Sequence, residues 1–189
     1  MVTLTTPVCE FGLKAPEFNL LGVDNNFWSL KDCMGEKGLL VMFISNHCPY
    51  VKAVQARLIR DTNELKALGI NCVAIMPNDT IEYPEDAFEN MQLVSKNNNY
   101  SFPYLLDDTQ DIARTFGAIC TPDFFGYNNH YELQYRGRLD ATGRNTEITD
   151  TNRELFEAMK LVAETGNGPT DQSPSIGCSI KWKKTVQPN

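Results

Sequence analysis

The chain has 189 residues, 42% of them hydrophobic and 22% charged, which suits one soluble domain with room for added elements. Its formal charge of −7 sets it against phosphate backbones and argues against a nucleic-acid partner. No apolar run approaches ~18 residues, and the N-terminus lacks the basic start and apolar core of a secretion signal, so no membrane span and a cytoplasmic location are expected.

Residues 1–14 read as an N-terminal arm. Ala15 to Leu20 opens a strand, Asp24-Asn25-Asn26 turns, and Phe27 to Leu30 returns, giving a hairpin before the main sheet. Ser29 is placed to cap a short helical turn ending near Gly35. Leu39 to Ile44 is a continuous apolar run, the pattern of a buried strand. Val51, Val54, Leu58, Leu65 and Leu68 then fall on one helical face, which Gly69 ends. Ile70 to Met76 is the next buried strand, so strand, helix and strand form a right-handed parallel crossover.

Ile81 to Asn99 predicts a helix opened by Pro84, with Glu85 and Asp86 in its first turn. Phe88, Met91, Leu93 and Val94 give it an apolar face. A short strand comes next at Pro103–Asp107, then a short helix from Thr109 to Phe116 stopped by Gly117. Phe124–Tyr127 and Tyr131–Leu139 pair as an antiparallel hairpin around Asn128-Asn129. A last helix is expected from Thr149 to Glu164, capped by Thr149 or Asp150. Residues 166–189 form a tail carrying Cys178, and the Lys181–Lys184 cluster in it reads as solvated.

Six cysteines are spread along the chain with no C-x-x-C, and there are only two histidines, so a closed metal site is not expected. Cys48 stands apart from the rest. It falls between the strand ending near Ile44 and the helix that Pro49 begins. The positive end of a helix dipole favours a thiolate, the reactive form of cysteine. The carboxyl edge of a parallel strand is also where open α/β sheets place their chemistry. His47 beside it is a candidate base or thiolate partner, and Lys52 one turn on adds positive potential.

The order of these elements resembles the thioredoxin fold: an α/β domain over residues 15–165, with a central mixed sheet flanked by helices, an N-terminal β-hairpin extension and an inserted helix. Asn46-His47-Cys48-Pro49-Tyr50-Val51, Pro77-Asn78-Asp79, Tyr83-Pro84-Glu85-Asp86, Cys120-Thr121-Pro122-Asp123, Tyr135-Arg136-Gly137-Arg138 and Pro174-Ser175-Ile176-Gly177-Cys178 resemble motifs of the AhpC/TSA (redoxin, peroxiredoxin-like) family. The resemblance implies that Pro122 is a cis-proline facing the Cys48 sulfur, with Thr121 presenting backbone groups to a substrate. It also implies bacterial, antioxidant chemistry and redox homeostasis, without a cofactor.

Two departures matter. Val51 stands where a dithiol motif has its second cysteine, and Val41 stands where a peroxiredoxin has a proline, although Ser45 fits the hydroxyl position. A peroxidase-type arginine has three candidates, Arg136, Arg138 and Arg144.

A redox cycle at Cys48 needs a second sulfur to capture a sulfenic acid. Cys120 is the first candidate, because the resemblance puts the Thr-Pro loop beside Cys48. Cys178 is the second, since a linker of roughly ten residues spans ~33–36 Å. The leading expectation is thiol-dependent reduction of a small peroxide through Cys48, with an external thiol reductant. Thiol-disulfide exchange on a protein disulfide, with Cys48 paired to Cys120 or Cys178, is the alternative. A non-catalytic peptide-binding module is the third. The exposed edge and tail leave homodimerisation open.

Overall fold

The computed structural model describes residues 2–144 and 152–184. Thr149 and Asp150, the expected caps of the last helix, lie outside the described residues.

The centre is β4 (Gly38–Phe43), whose six residues are all buried. Both of its faces are covered, which is why its sequence is continuously apolar rather than alternating. Leu39, Val41 and Phe43 pack on one side with Phe116, Phe125 and Tyr127. Leu40 and Met42 pack on the other with residues of α2 (Pro49–Ala67) and α5 (Glu154–Thr165). On one flank β4 runs parallel to β5 (Ile70–Met76), and β5 is parallel to β6 (Tyr104–Leu106). On its other flank β4 meets β8 (Asp123–Asn128) antiparallel. With β2 (Asn19–Gly22), β3 (Phe27–Ser29) and β9 (Leu133–Tyr135), the order is β3-β2-β6-β5-β4-β8-β9. This is the mixed, thioredoxin-like sheet with its N-terminal hairpin.

Ser29 caps α1 (Leu30–Cys33) through a reciprocal capping box with Asp32. The helix expected from Ile81 to Asn99 is split. A single 3₁₀ turn, Pro84–Asp86, precedes α3 (Phe88–Asn97), and Ala87 between them is extended (φ −57°, ψ 153°). The break turns Asp86 fully inward, while Leu93, expected on the apolar face, is 55% exposed. The short helix α4 (Asp111–Phe116) ends at Gly117 in the left-handed region (φ 65°). The strand expected to reach Leu139 stops at Tyr135, because the next amides turn to the tail. Arg136 N donates to Gln172 Oε1 and Arg138 N to Ser173 O, each at 2.8 Å.

The two ends of the chain build a second sheet that the hydrophobic pattern does not announce. β1 (Thr3–Thr5) pairs antiparallel with β10 (Ile176–Ser179), which pairs antiparallel with β7 (Cys120–Thr121). The arm and the tail are thus joined to each other and to the loop preceding β8. Among the described residues no helix is long and apolar enough to cross a membrane.

Candidate active site

Cys48 is the N-cap residue of α2 and Pro49 the first residue of that helix. Its backbone is extended (φ −67°, ψ 120°), so the sulfur leaves the helix axis and makes no capping bond. Instead Sγ donates to the carbonyl of Thr121 at 3.1 Å. The Thr121–Pro122 bond is cis. Ser45 Oγ and Thr121 Oγ1 lie 3.3 Å apart beneath this contact. Cys48 has no exposed surface at all.

The third wall is β10. Its register sets Cys178 opposite Thr121 and Ser179 opposite Cys120. Residues opposite each other across a pair of strands share a face, and neighbours along a strand do not. Cys178 therefore lies on the Thr121 face, in the same buried cluster as Cys48. Burial first, and then interaction with Cys48, push the Cys178 thiol up to about 11. Cys120 falls on the opposite face, where Sγ points at Pro122 O, 3.6 Å away. Burial and the neighbouring Asp123 push its thiol well above the ordinary range. All six cysteines are reduced.

Gly177 is needed for this closeness. A Cβ there would run into the carbonyl oxygen of Thr121. Ser175 adds a second stitch, donating from Oγ to Pro122 O at 2.8 Å. A small groove of about 90 Å³ opens beside the loop, lined by Tyr50, Val54, Pro122, Phe124, Leu139 and Ile176 among others. That volume admits a few waters or a small molecule.

Ahead of Cys48, the loop is held by one carboxylate. Asp86 Oδ1 accepts from Asn46 N at 2.7 Å and His47 N at 3.2 Å. Its Oδ2 meets His47 Nδ1 at 2.6 Å and accepts from Asn78 Nδ2 at 2.8 Å. Burial pushes Asp86 up, but the bonds from His47 and Asn78 outweigh it and hold the carboxyl below its usual range. His47 stacks on Tyr83 with ring centroids 5.2 Å apart.

The AhpC/TSA family matches residues 11–142. The chain belongs to that family. Among solved structures, an uncharacterized conserved protein from Geobacillus kaustophilus is 41% identical with a TM-score of 0.93, over 98% of this chain and 99% of that one. A hypothetical protein from Sinorhizobium meliloti is 35% identical with a TM-score of 0.89, over 96% and 99%. Peroxidoxin BcpB from Mycobacterium tuberculosis shares the fold at 12% identity and a TM-score of 0.58, over 82% and 92%. Nothing among curated protein sequences matches the chain. Membership in the AhpC/TSA family carries thiol-based redox function.

Of the candidate arginines, Arg138 lines the groove, and each of the three has a partner of its own. Arg136 donates to Gly117 O at 2.8 Å and Asp123 Oδ2 at 3.1 Å, with its guanidinium 4.4 Å over Phe125. Asp123 is pushed up to about 6 by burial, against the attraction of Arg136. Arg138 grips Glu154 through Nε and Nη2, its shortest contact 2.7 Å. Arg144 lies over the Tyr50 ring, 5.2 Å from its centroid. Lys52 is exposed on α2. Among the described residues no three His, Cys, Asp or Glu side chains converge as metal ligands.

Sequence reasoning singles out Cys48, Cys178 and the Thr121-Pro122 loop, all of which the fold brings together. It ranks Cys120 before Cys178, and the strand register reverses their access to Cys48. It takes Asp86 for an acid in the first turn of a helix. Asp86 is within reach of inference, because its Tyr83-Pro84-Glu85-Asp86 motif and the Asn46-His47 loop both carry the family resemblance. Their meeting depends on the extended Ala87, which no periodicity reveals.

Proposed function

We propose that this AhpC/TSA protein is a two-cysteine thiol peroxidase, in which Cys48 reduces a small hydroperoxide and Cys178 resolves the product. The observation that carries this reading is the placement of Cys178 directly across from Thr121, whose carbonyl accepts from Cys48 Sγ, with both thiols buried. The Cys48 thiolate attacks the O–O bond of the peroxide. Its sulfur takes one oxygen and becomes a sulfenic acid, and the other oxygen leaves as water or alcohol once protonated. The Cys178 sulfur then attacks the sulfenic sulfur, forming the disulfide and releasing its oxygen as water. An external dithiol supplies the two electrons that restore both thiols.

Burial supports a small oxidant. Cys48 is 0% and Cys178 2% exposed, so a protein disulfide meets neither sulfur until β10 moves. Asp86 and the Thr121 carbonyl fix the Cys48 loop and sulfur, and proximity of the second thiol replaces a collision with a partner.

The test compares hydrogen peroxide consumption, with dithiothreitol as reductant, in the wild type and Cys48→Ser. Insulin, whose disulfides are reducible, serves as the competing substrate. The reading expects peroxide turnover that is lost in Cys48→Ser, and slow insulin reduction. Faster insulin reduction with no peroxide turnover replaces it by thiol-disulfide exchange. Neither activity in the wild type leaves peptide binding as the role of the fold.

A further inference from the structure

Cys178 is carried by β10, close to the C-terminus, and a terminal strand frays unless something ties it down. β10 touches β7 through only two register pairs, Cys178↔Thr121 and Ser179↔Cys120. Beyond β10, the tail is fastened to the Cys48 loop by side chains. Asn78 stands at the joint. Its Nδ2 donates to Asp86 Oδ2 at 2.8 Å, and its Oδ1 accepts from Lys181 N at 2.9 Å. The backbone closes the same joint, with Asp79 N donating to Lys181 O at 2.8 Å. The Lys181 ammonium lies 5.9 Å from the Tyr83 ring, whose stacking partner is His47. Gln110 adds a second fastening, donating to Pro77 O at 2.6 Å and Lys181 O at 2.9 Å and accepting from Lys183 N at 2.7 Å.

Asp86 and Asn78 are both buried, and each spends its polar atoms on this link. Asp86 takes the two amides just before Cys48, and Asn78 takes an amide just after Cys178. Both side chains take backbone amides flanking the two cysteines. Their geometry fixes where the two sulfur-bearing backbones sit relative to each other.

Resting on the dithiol reading of the site, we propose that Asp86 and Asn78 are positioning residues for the resolving step, a clasp that holds Cys178 against Cys48 so that disulfide closure outruns further oxidation. In that step Cys48–SOH and Cys178–SH give the disulfide and one water. A loosened clasp lowers the local concentration of the Cys178 thiol while leaving the first oxidation of Cys48 intact. The waiting sulfenic acid then takes a second oxygen from peroxide and becomes a sulfinic acid, releasing water.

The test uses Asn78→Ala, which releases Lys181, Asp86→Asn, which weakens the grip on the Cys48 loop, and the conservative Asp86→Glu. Each reduced protein receives graded hydrogen peroxide. Quenched samples are read by peptide mass spectrometry for the Cys48–Cys178 disulfide and for Cys48 sulfinic acid. Fluorescence of Trp182, one of two tryptophans and packed 4.2 Å under the Arg114 guanidinium, reports whether the tail is seated. Far-ultraviolet circular dichroism confirms that each variant is folded. The clasp predicts disulfide closure slowed about tenfold in Asn78→Ala and Asp86→Asn, a matching rise in sulfinic acid, and partial recovery in Asp86→Glu. In Asn78→Ala, consumption of the first equivalent of peroxide stays at the wild-type rate. If Asp86→Asn fails to fold, Asn78→Ala alone decides. Closure at the wild-type rate in a folded Asn78→Ala overturns the proposal. Absence of any Cys48–Cys178 disulfide in the wild type overturns the dithiol reading instead, so the two failures are distinct.

Discussion

The seven-stranded sheet and the three-stranded sheet are built on different physics. Around β4 every side chain is apolar and buried, and Phe43, Phe116 and Phe125 meet edge to face at 5.4–5.7 Å. In the smaller sheet the strands are two to four residues long, made largely of Thr, Cys, Ser and Gly, and held by backbone bonds and stitches such as Ser175–Pro122. The first region supplies stability through area removed from water. The second supplies placement, bringing a thiol from the tail to a thiol at a helix start. Damage to the first should therefore cost folding, and damage to the second should cost chemistry.

The largest effect tests the first half of that contrast. Phe43→Ala removes a ring from the centre of the aromatic cluster and should cost about 3–5 kcal/mol in a urea midpoint. Molecules that remain folded should still form the Cys48–Cys178 disulfide. If they lose it with their fold intact, the separation of roles fails.

Gly177→Ala reverses the pattern. The new methyl must push β10 away from the Thr121 carbonyl, costing about 1–3 kcal/mol. Disulfide closure should fall by more than tenfold, read by quenched thiol labelling. Closure at the ordinary rate would show that the register of β10 and β7 is not what aligns the sulfurs.

A smaller effect is expected from removing residues 1–6. That deletes β1 and the Thr6–Ser175 bonds of 2.9 Å, but leaves β10 paired with β7 and held by Asn78. Stability should drop by roughly 1–3 kcal/mol, since the ladder to β10 is lost with the two Thr6 bonds, each bond contributing about 1 kcal/mol or less at this exposed edge. Closure should slow less than in Gly177→Ala. An equal or larger slowing would move the decisive contact from β7 to β1.

The smallest effects lie in the pH dependence of stability. Asp86 is held below the ordinary carboxylate range, so its contribution is fully present above about pH 4 and is lost as pH falls through its folded value. Asp123 is raised to about 6, so it binds more protons folded than unfolded, and stability declines as pH rises from about 4 through 6. Urea midpoints from pH 3 to 8 should lose the acid-side slope in Asp86→Asn and the mid-range slope in Asp123→Asn. The opposite assignment of the two slopes contradicts the burial and bonding described for these carboxylates.

How far the sequence can be read obeys the same division. β4, α2 and β5 are legible because apolar runs and helical spacing are local, and Pro49 and Gly69 mark the ends of α2. Cys48 is legible as the residue between β4 and α2. That Cys178 and not Cys120 shares the Thr121 face is not, since it depends on which face of a two-residue strand each thiol occupies. The cis-proline loop enters through family resemblance, not through any pattern in the residues. The burial of Asp86 is hidden from periodicity because an acidic residue after Pro84 reads as the first turn of a helix, whereas the extended Ala87 turns it into the core. The strand pairing of the two termini is hidden for a related reason. Thr3–Thr5 and Ile176–Ser179 are too short and too polar for a local signal, and each is ordered only by the other and by β7.

The central claim is that Cys48 and Cys178 are the redox pair. The direct measurement is to treat fully reduced protein with one equivalent of hydrogen peroxide and map the cysteines by non-reducing peptide mass spectrometry. The account predicts a single new bridge between Cys48 and Cys178, with Cys120 still a thiol. A bridge between Cys48 and Cys120, or a Cys48 that stays reduced while other thiols oxidise, contradicts it.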